Sequence, residues 1–169
     1  YITGDLGDSF MGLQILKNKI KVPKEQKKYF AQKYYLPDIQ IKLTQKLFNF
    51  ANSSIDLSDG LIDDLSKMIN NQNLSFILYE NKIPISKNLL KIIKIKTMKK
   101  IKLVSNGDDY QILFTASKDK SRIIAQTSKN LGIKISKIGK ICSNKKRSVI
   151  IDEKGKEIVL KNKGYVHQF

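Results

Sequence analysis

Ser53-Ser54-Ile55-Asp56-Leu57-Ser58-Asp59-Gly60-Leu61 is the stretch from which the rest of the chain can be read. Ile55 and Leu57 alternate with Asp56 and Ser58, which predicts a short, half-buried strand. Immediately after it, Leu61, Leu65 and Met68 recur at helical spacing, with Ile62 and Ile69 beside them. Two carboxylates and a hydroxyl therefore fall at a strand-to-helix junction, where Gly60 eases the turn. Carboxylates crowded in this way are hard oxygen ligands suited to magnesium, and a helix N-terminus favours phosphate. The same residues also read as ordinary helix caps, because Ser and Asp are the commonest. On either reading, Asp63 and Asp64 stand as solvated charge in the first turn.

The chain has 169 residues, enough for one domain with its own core and short for two. A 41% apolar and 28% charged composition fits an ordinary globular chain. The net charge of +17 raises nucleic acid as a partner, but all 32 basic residues except Arg122 and Arg147 are lysines, scattered along the sequence. Nucleic-acid sites lean on arginine and on clustered charge, so a solvated lysine surface is the reading adopted, with no specific nucleic acid expected. Such a surface also attracts phosphorylated molecules. One cysteine, Cys142, excludes an internal disulfide and a cysteine-based zinc site; its apolar run predicts a buried, inert thiol. His167 is the single histidine, which leaves His-based triads and metal clusters without members. No apolar run approaches the roughly 18 residues of a membrane span, and no signal peptide is visible. A cytoplasmic location is therefore expected. Because Tyr1 stands where Met would open a gene and Tyr1-Ile2-Thr3-Gly4 reads as the end of a strand, a fragment is expected.

Along the chain, Gly4 to Gly12 forms a glycine-containing turn feeding a helix through about Asn18, capped by Asp8 or Ser9. Lys24 to Tyr35 predicts a lysine-rich helix that packs its aromatics inward and keeps its lysines wet. After Pro37, a helix is expected over Ile39 to Asn52 with Ile41, Leu47, Phe48 and Ala51 inward. Leu74 to Tyr79 predicts a strand, and Pro84 and Ser86 introduce a helix over Lys87 to Lys96, whose all-round Ile and Leu content implies burial on more than one side. Ser105 to Asp109 is a polar turn before a strand at Tyr110 to Thr115. A helix over Asp119 to Leu131 is closed by Gly132, strands follow at Ile133–Cys142 and Ser148–Asp152, and Glu153 to Lys156 is a hairpin turn. No repeat or linker interrupts the chain, so a single α+β domain over 1–169, a mixed sheet with flanking helices, is expected.

Taken together, four stretches resemble one family. Thr3-Gly4-Asp5-Leu6-Gly7-Asp8-Ser9-Phe10-Met11-Gly12-Leu13 is similar to the glycine-rich turn that opens the C-terminal domain of thiamine-monophosphate kinases. Ser54 to Leu61 resembles their acidic signature nearly residue for residue, and Asn106-Gly107-Asp108-Asp109-Tyr110-Gln111-Ile112-Leu113-Phe114 their Gly-Gly-Glu-Asp-Tyr-Glu-Leu-Leu-Phe segment. The ending Gly164-Tyr165-Val166-His167-Gln168-Phe169 is like their Gly-Tyr-x-His-Phe close. The resemblance covers the whole chain and implies the fold of aminoimidazole ribonucleotide synthetase-like proteins. It also implies an ATP-dependent kinase that phosphorylates thiamine monophosphate to thiamine diphosphate.

By the same resemblance Asp56 and Asp59 are magnesium ligands, Ser58 contacts ATP phosphates, and Asp8 and Ser9 lie on the nucleotide side as turn-formers. Asp108 contacts the thiamine phosphate, and Tyr165 is an aromatic wall for the cationic thiazolium. A simple loop for Asp108 and a docked tail for Tyr165 remain open beside these roles. An N-terminal domain carrying further magnesium ligands and a homodimer interface is implied, and is missing from this chain, which alone is expected to fold but not to catalyse. Three positions depart from the pattern: Asn106 replaces a Gly, Asp108 a Glu, and Gln40 a common Arg. The rival readings are another ATP-using enzyme of the same superfamily with a different acceptor, and a basic RNA-binding module.

Overall fold

In the computed structural model, which describes residues 1–70, 72–143 and 147–159, the strand expected at Ser53 forms as Ser53–Asp56 (β2). It is an edge of a four-stranded sheet of order β2-β4-β1-β5, completed by β4 (Ile112–Thr115), β1 (Ile2–Thr3) and β5 (Ile135–Ser136). Every pairing in this sheet is antiparallel, with Asp56 opposite Ile112 and Ile2 opposite Leu113. A second, three-stranded sheet has β3 (Ser75–Tyr79) at its centre, antiparallel to β6 (Gly139–Cys142) and parallel to β7 (Val149–Ile151). Helices and mixed sheets make the α+β class expected from the sequence.

The helix α4 (Leu61–Met68) links the two sheets because its spacing puts Leu61, Ile62 and Leu65 on one side. They join Ile2 and Leu113 from the first sheet and Phe76, Leu78 and Ile150 from the second in one core. Burying each such side chain contributes about 2 kcal/mol, which fixes α4 firmly behind the turn that precedes it. A second core holds α1 (Asp8–Leu16), α2 (Lys24–Tyr35), α5 (Lys87–Lys96) and the short α6 (Lys100–Val104) around Met11, Phe30, Leu89 and Leu103. A third sets α3 (Ile41–Leu47) and α7 (Ser121–Leu131) against the first sheet through Leu43, Phe114 and Ile124.

Several expectations needed correction. The helix expected over Ile39 to Asn52 is shorter; Leu43 is its buried residue, Leu47 and, beyond the helix, Phe50 and Ala51 pack inward with it, whereas Ile41 is 69% and Phe48 93% exposed. α5 buries only Leu89 and Ile92 and leaves Ile95 exposed, so its apolar surplus is not a second buried face. The strand expected over Ile133–Cys142 is broken into β5 and β6, which serve different sheets. Cys142 is only half-buried. The aromatic tail with Tyr165 lies outside the described residues. Among the described residues, no helix is long and apolar enough to cross a membrane.

Candidate functional site

Three turns separated by about fifty residues each meet at one end of the four-stranded sheet. β1 and β2 both run toward that end and β4 starts from it, so the turns after β1 and β2 and the turn before β4 are neighbours. Past the last regular pair, the Leu57 N–H donates to the Gln111 carbonyl at 2.9 Å, and the Tyr110 and Asp108 N–H groups donate to the Leu57 and Ser58 carbonyls at 2.9 and 3.0 Å. Contact is close enough to require glycine. A Cβ on Gly107 would lie 1.7 Å from the Ser58 carbonyl oxygen, and one on Gly60 2.3 Å from the Ser105 carbonyl oxygen. The third turn is bound to the first by side chains. Thr3 Oγ1 donates to Gln111 Oε1 at 2.7 Å and accepts from the Ile112 N–H at 2.8 Å.

Two buried carboxylates anchor the turns. Asp109 accepts the Gly7 N–H at 2.7 Å and, more weakly, the Ser9 N–H at 3.4 Å, and so caps α1 from a distant part of the chain. Sequence reading assigned that cap to Asp8 or Ser9. Instead Asp8 accepts from Tyr29 Oη and Ser86 Oγ, both at 2.7 Å, and Ser9 Oγ donates to the Lys33 carbonyl at 2.8 Å. Asp8 and Ser9 are therefore buried turn-formers, with their side-chain polar groups bonded within the protein. Burial raises the Asp8 carboxyl, opposed by the Tyr29 and Ser86 hydrogen bonds, and pushes the Tyr29 phenol up to about 12.

Asp64 is the second anchor, only 1% exposed, and this corrects its reading as solvated charge. Its Oδ2 accepts the N–H groups of Ser58, Asp59 and Gly60 at 3.1, 3.0 and 3.1 Å. Neither Asp56 nor Asp59 caps α4, whose N-cap position is Gly60. An acidic residue one turn inside a helix reaching back to preceding amides has the logic of a capping box, but Leu61 stands where that box needs Ser or Thr, so no such spacing marks Asp64 in the sequence. Asp63 points to solvent more than Asp64 and pairs with Lys67 at 2.9 Å.

The remaining acidic groups face outward at the same end. Asp56 is exposed at the end of β2, Ser58 is half-buried, and the Asp59 side chain is 23% exposed. Asp59, Asp63 and Asp64 each offer a carboxylate oxygen, all within 4.8 Å of one another, and the Lys67 ammonium lies among them, bonded to Asp59 and held above its usual range chiefly by that bond. Asp56 is not part of this trio. Asp108 is half-buried with a positive φ of 70°; burial first, and then the Asp59 charge, raise its carboxyl. Asp59 and Asp108 thus share one electrostatic environment although 49 positions apart in the chain. Tyr110, in the same turn as Asp108 and also at positive φ (50°), is 41% exposed, a strained placement that the sequence did not announce.

Asp109 carries a pH prediction. Burial is the largest cause lifting its carboxyl to about 8, against 3.8 for a free aspartate. The folded form therefore binds a proton that the unfolded form has lost, and stability present in full below about pH 4 is lost progressively as pH rises toward 8. Asp109→Asn is expected to flatten this part of the stability–pH curve. Thermal unfolding of both proteins between pH 5 and 8 checks it; parallel curves would mean that Asp109 ionises without penalty.

This arrangement of two sheets and flanking helices is the fold of the aminoimidazole ribonucleotide synthetase-like proteins. Over 95% of its length the chain superposes on 48% of Escherichia coli HypE, a hydrogenase maturation protein, with a TM-score of 0.70 at 12% identity, a likeness of fold alone. It superposes over 99% of its length on half of AaThiL complexed with AMPPCP and TMP, with a TM-score of 0.78 at 24% identity. No family model matches the chain. By sequence it is related along essentially its whole length to the thiamine-monophosphate kinases: it is 36% identical over 168 residues to that of Buchnera aphidicola subsp. Schizaphis graminum and 30% identical over 168 residues to that of Escherichia coli K12. It spans about half the length of these curated relatives, covering 99% of itself and 51% of each.

Proposed function

We propose that this chain is the C-terminal part of a thiamine-monophosphate kinase, which transfers the γ-phosphoryl of ATP to thiamine monophosphate and yields thiamine diphosphate and ADP. The observation that carries the reading is the convergence of the three motif turns, which brings Asp56, Ser58, Asp59 and Asp108 to one end of one sheet. The acceptor is itself a phosphate, so the barrier lies less in activating a nucleophile than in holding two anions in line.

The donor set fits magnesium, because the carboxylates of Asp56, exposed at the end of β2, and Asp59, in the turn after it, are hard oxygen ligands, and a cationic ammonium already rests on Asp59. Asp56 and Asp59 would hold the ion, which when bound supplies positive charge to the phosphate oxygens. Ser58, through its hydroxyl, contacts the ATP phosphates; its amide is already bonded to Asp64. Asp108 orients the thiamine phosphate through a shorter arm than the Glu it replaces, and Tyr165 forms the aromatic wall against the thiazolium. Asp8 and Ser9 shape the turn behind the nucleotide. The N-terminal half that the relatives' length implies supplies the remaining magnesium ligands and the homodimer contact, so this chain by itself folds but does not turn over.

The test is an assay of the full-length protein with ATP, magnesium and a panel of phosphorylated acceptors, following thiamine diphosphate and ADP by chromatography. Turnover with thiamine monophosphate is expected, and the isolated chain is expected to give none. Turnover confined to a different acceptor would leave the fold and remove the substrate.

A further inference from the structure

Among the charged side chains at this end of the sheet, Asp64 is the one buried almost completely within the α4 turn and given no part in binding ATP, metal or acceptor. Its Oδ2 receives three successive backbone N–H groups, those of Ser58, Asp59 and Gly60, and its Oδ1 lies 3.3 Å from Lys67 Nζ. Successive amides converging on one point form a nest that ordinarily takes an anion from outside, above all a phosphate at a helix N-terminus. Here the nest is filled from within by a carboxylate of the helix's own first turns. Two consequences follow. The Ser58, Asp59 and Gly60 amides are spent, so a nucleotide phosphate at these three residues meets side chains rather than backbone N–H groups. The backbone of Ser58 and Asp59 is also pinned at both donors, which fixes the directions in which their side chains leave the turn.

We infer that Asp64 is a positioning residue, an internal anion that occupies the amide nest of α4 and holds Ser58 and Asp59 in the geometry that receives nucleotide and metal. This rests on the kinase reading above. Its distinguishing mark is that the nest accepts a substitute. Asn at position 64 keeps one oxygen for the amides without the charge, whereas Ala leaves the nest empty.

The test compares Asp64→Ala and Asp64→Asn in the full-length protein, with kcat and KM for ATP, thermal unfolding, and amide resonances of Ser58, Asp59 and Gly60. Asp64→Ala is expected to lose on the order of 100-fold in kcat, as misplacement by about 1 Å does. Asp64→Asn is expected to recover about tenfold of that loss, the part that depends on having an acceptor, and to stay about tenfold below the unsubstituted protein, the part that depends on charge. Added formate should shift the three amide resonances of Asp64→Ala back toward those of the unsubstituted protein and raise its kcat, leaving the unsubstituted protein unaffected. A folded Asp64→Ala with kcat and KM within twofold of the unsubstituted protein overturns the inference. If Asp64→Ala does not fold, Asp64→Asn decides it: unchanged amide resonances and unchanged kcat overturn it equally. Absence of kinase activity in the unsubstituted protein would instead bring down the kinase reading, and the positioning role with it.

Discussion

Gly107→Ala is expected to destabilise the protein by about 3 kcal/mol or more and to abolish turnover in the intact enzyme. The added methyl carbon would lie 1.7 Å from the Ser58 carbonyl oxygen, a backbone atom that cannot rotate away. The two turns must therefore part. Separation breaks the Asp108 and Tyr110 N–H bonds to the Ser58 and Leu57 carbonyls, at about 1 kcal/mol each, and adds the strain of moving packed backbone. For a chain of this size such a loss lowers Tm by roughly 10 °C. Gly155→Ala is the control. Gly155 has a positive φ of 78° and nothing within 4 Å, so its replacement carries only the backbone cost, about 1 kcal/mol. Calorimetry of both variants separates crowding from conformational preference; equal, small losses would mean that the turns are not held as described.

The second large effect concerns Asp59. Its exposed partner Lys67 makes the ion pair worth about 0–1 kcal/mol, so Asp59→Asn should leave stability nearly unchanged. As a ligand to magnesium its loss is far more damaging. Even residues that merely support metal ligands cost about 10–100-fold when changed, so kcat is expected to fall at least about 100-fold, with partial recovery at high magnesium. Steady-state kinetics against magnesium, run beside thermal unfolding, tests the prediction. Near-normal turnover in a folded Asp59→Asn protein would remove the metal role, and a large drop in Tm would show that the carboxylate serves the fold instead.

Much of the architecture was legible because local signals agreed with the final packing. Lys24–Tyr35 and Lys87–Lys96 form helices at the expected bounds, the second with Ser86 capping the Leu89 N–H at 3.0 Å. Ser53–Asp56 is a strand since its alternation matches an edge with one face on the core. The third helix failed for a physical reason: Ile41, Leu43, Leu47 and Phe48 offer two apolar faces, and only the position of β4 and α7 chooses Leu43 over Phe48. The site divides in the same way. Asp56, Ser58, Asp59 and Asp108 could be picked out as acidic and hydroxyl groups in recognisable turns, and the structure gathers those turns at one end of a sheet.

By itself, the sequence determined which residues carry oxygen ligands and which stretches bend, because charge, hydroxyl chemistry and glycine are properties of single residues and short spacings. Only the tertiary structure decided which carboxylates are spent on the protein's own amides. Asp109 caps a helix about a hundred positions away and Asp64 fills the nest at the start of α4, while Asp59 and Asp108 face outward. That division depends on which backbone N–H groups are left unpaired once the strands have docked, a quantity that does not exist until the chain has folded.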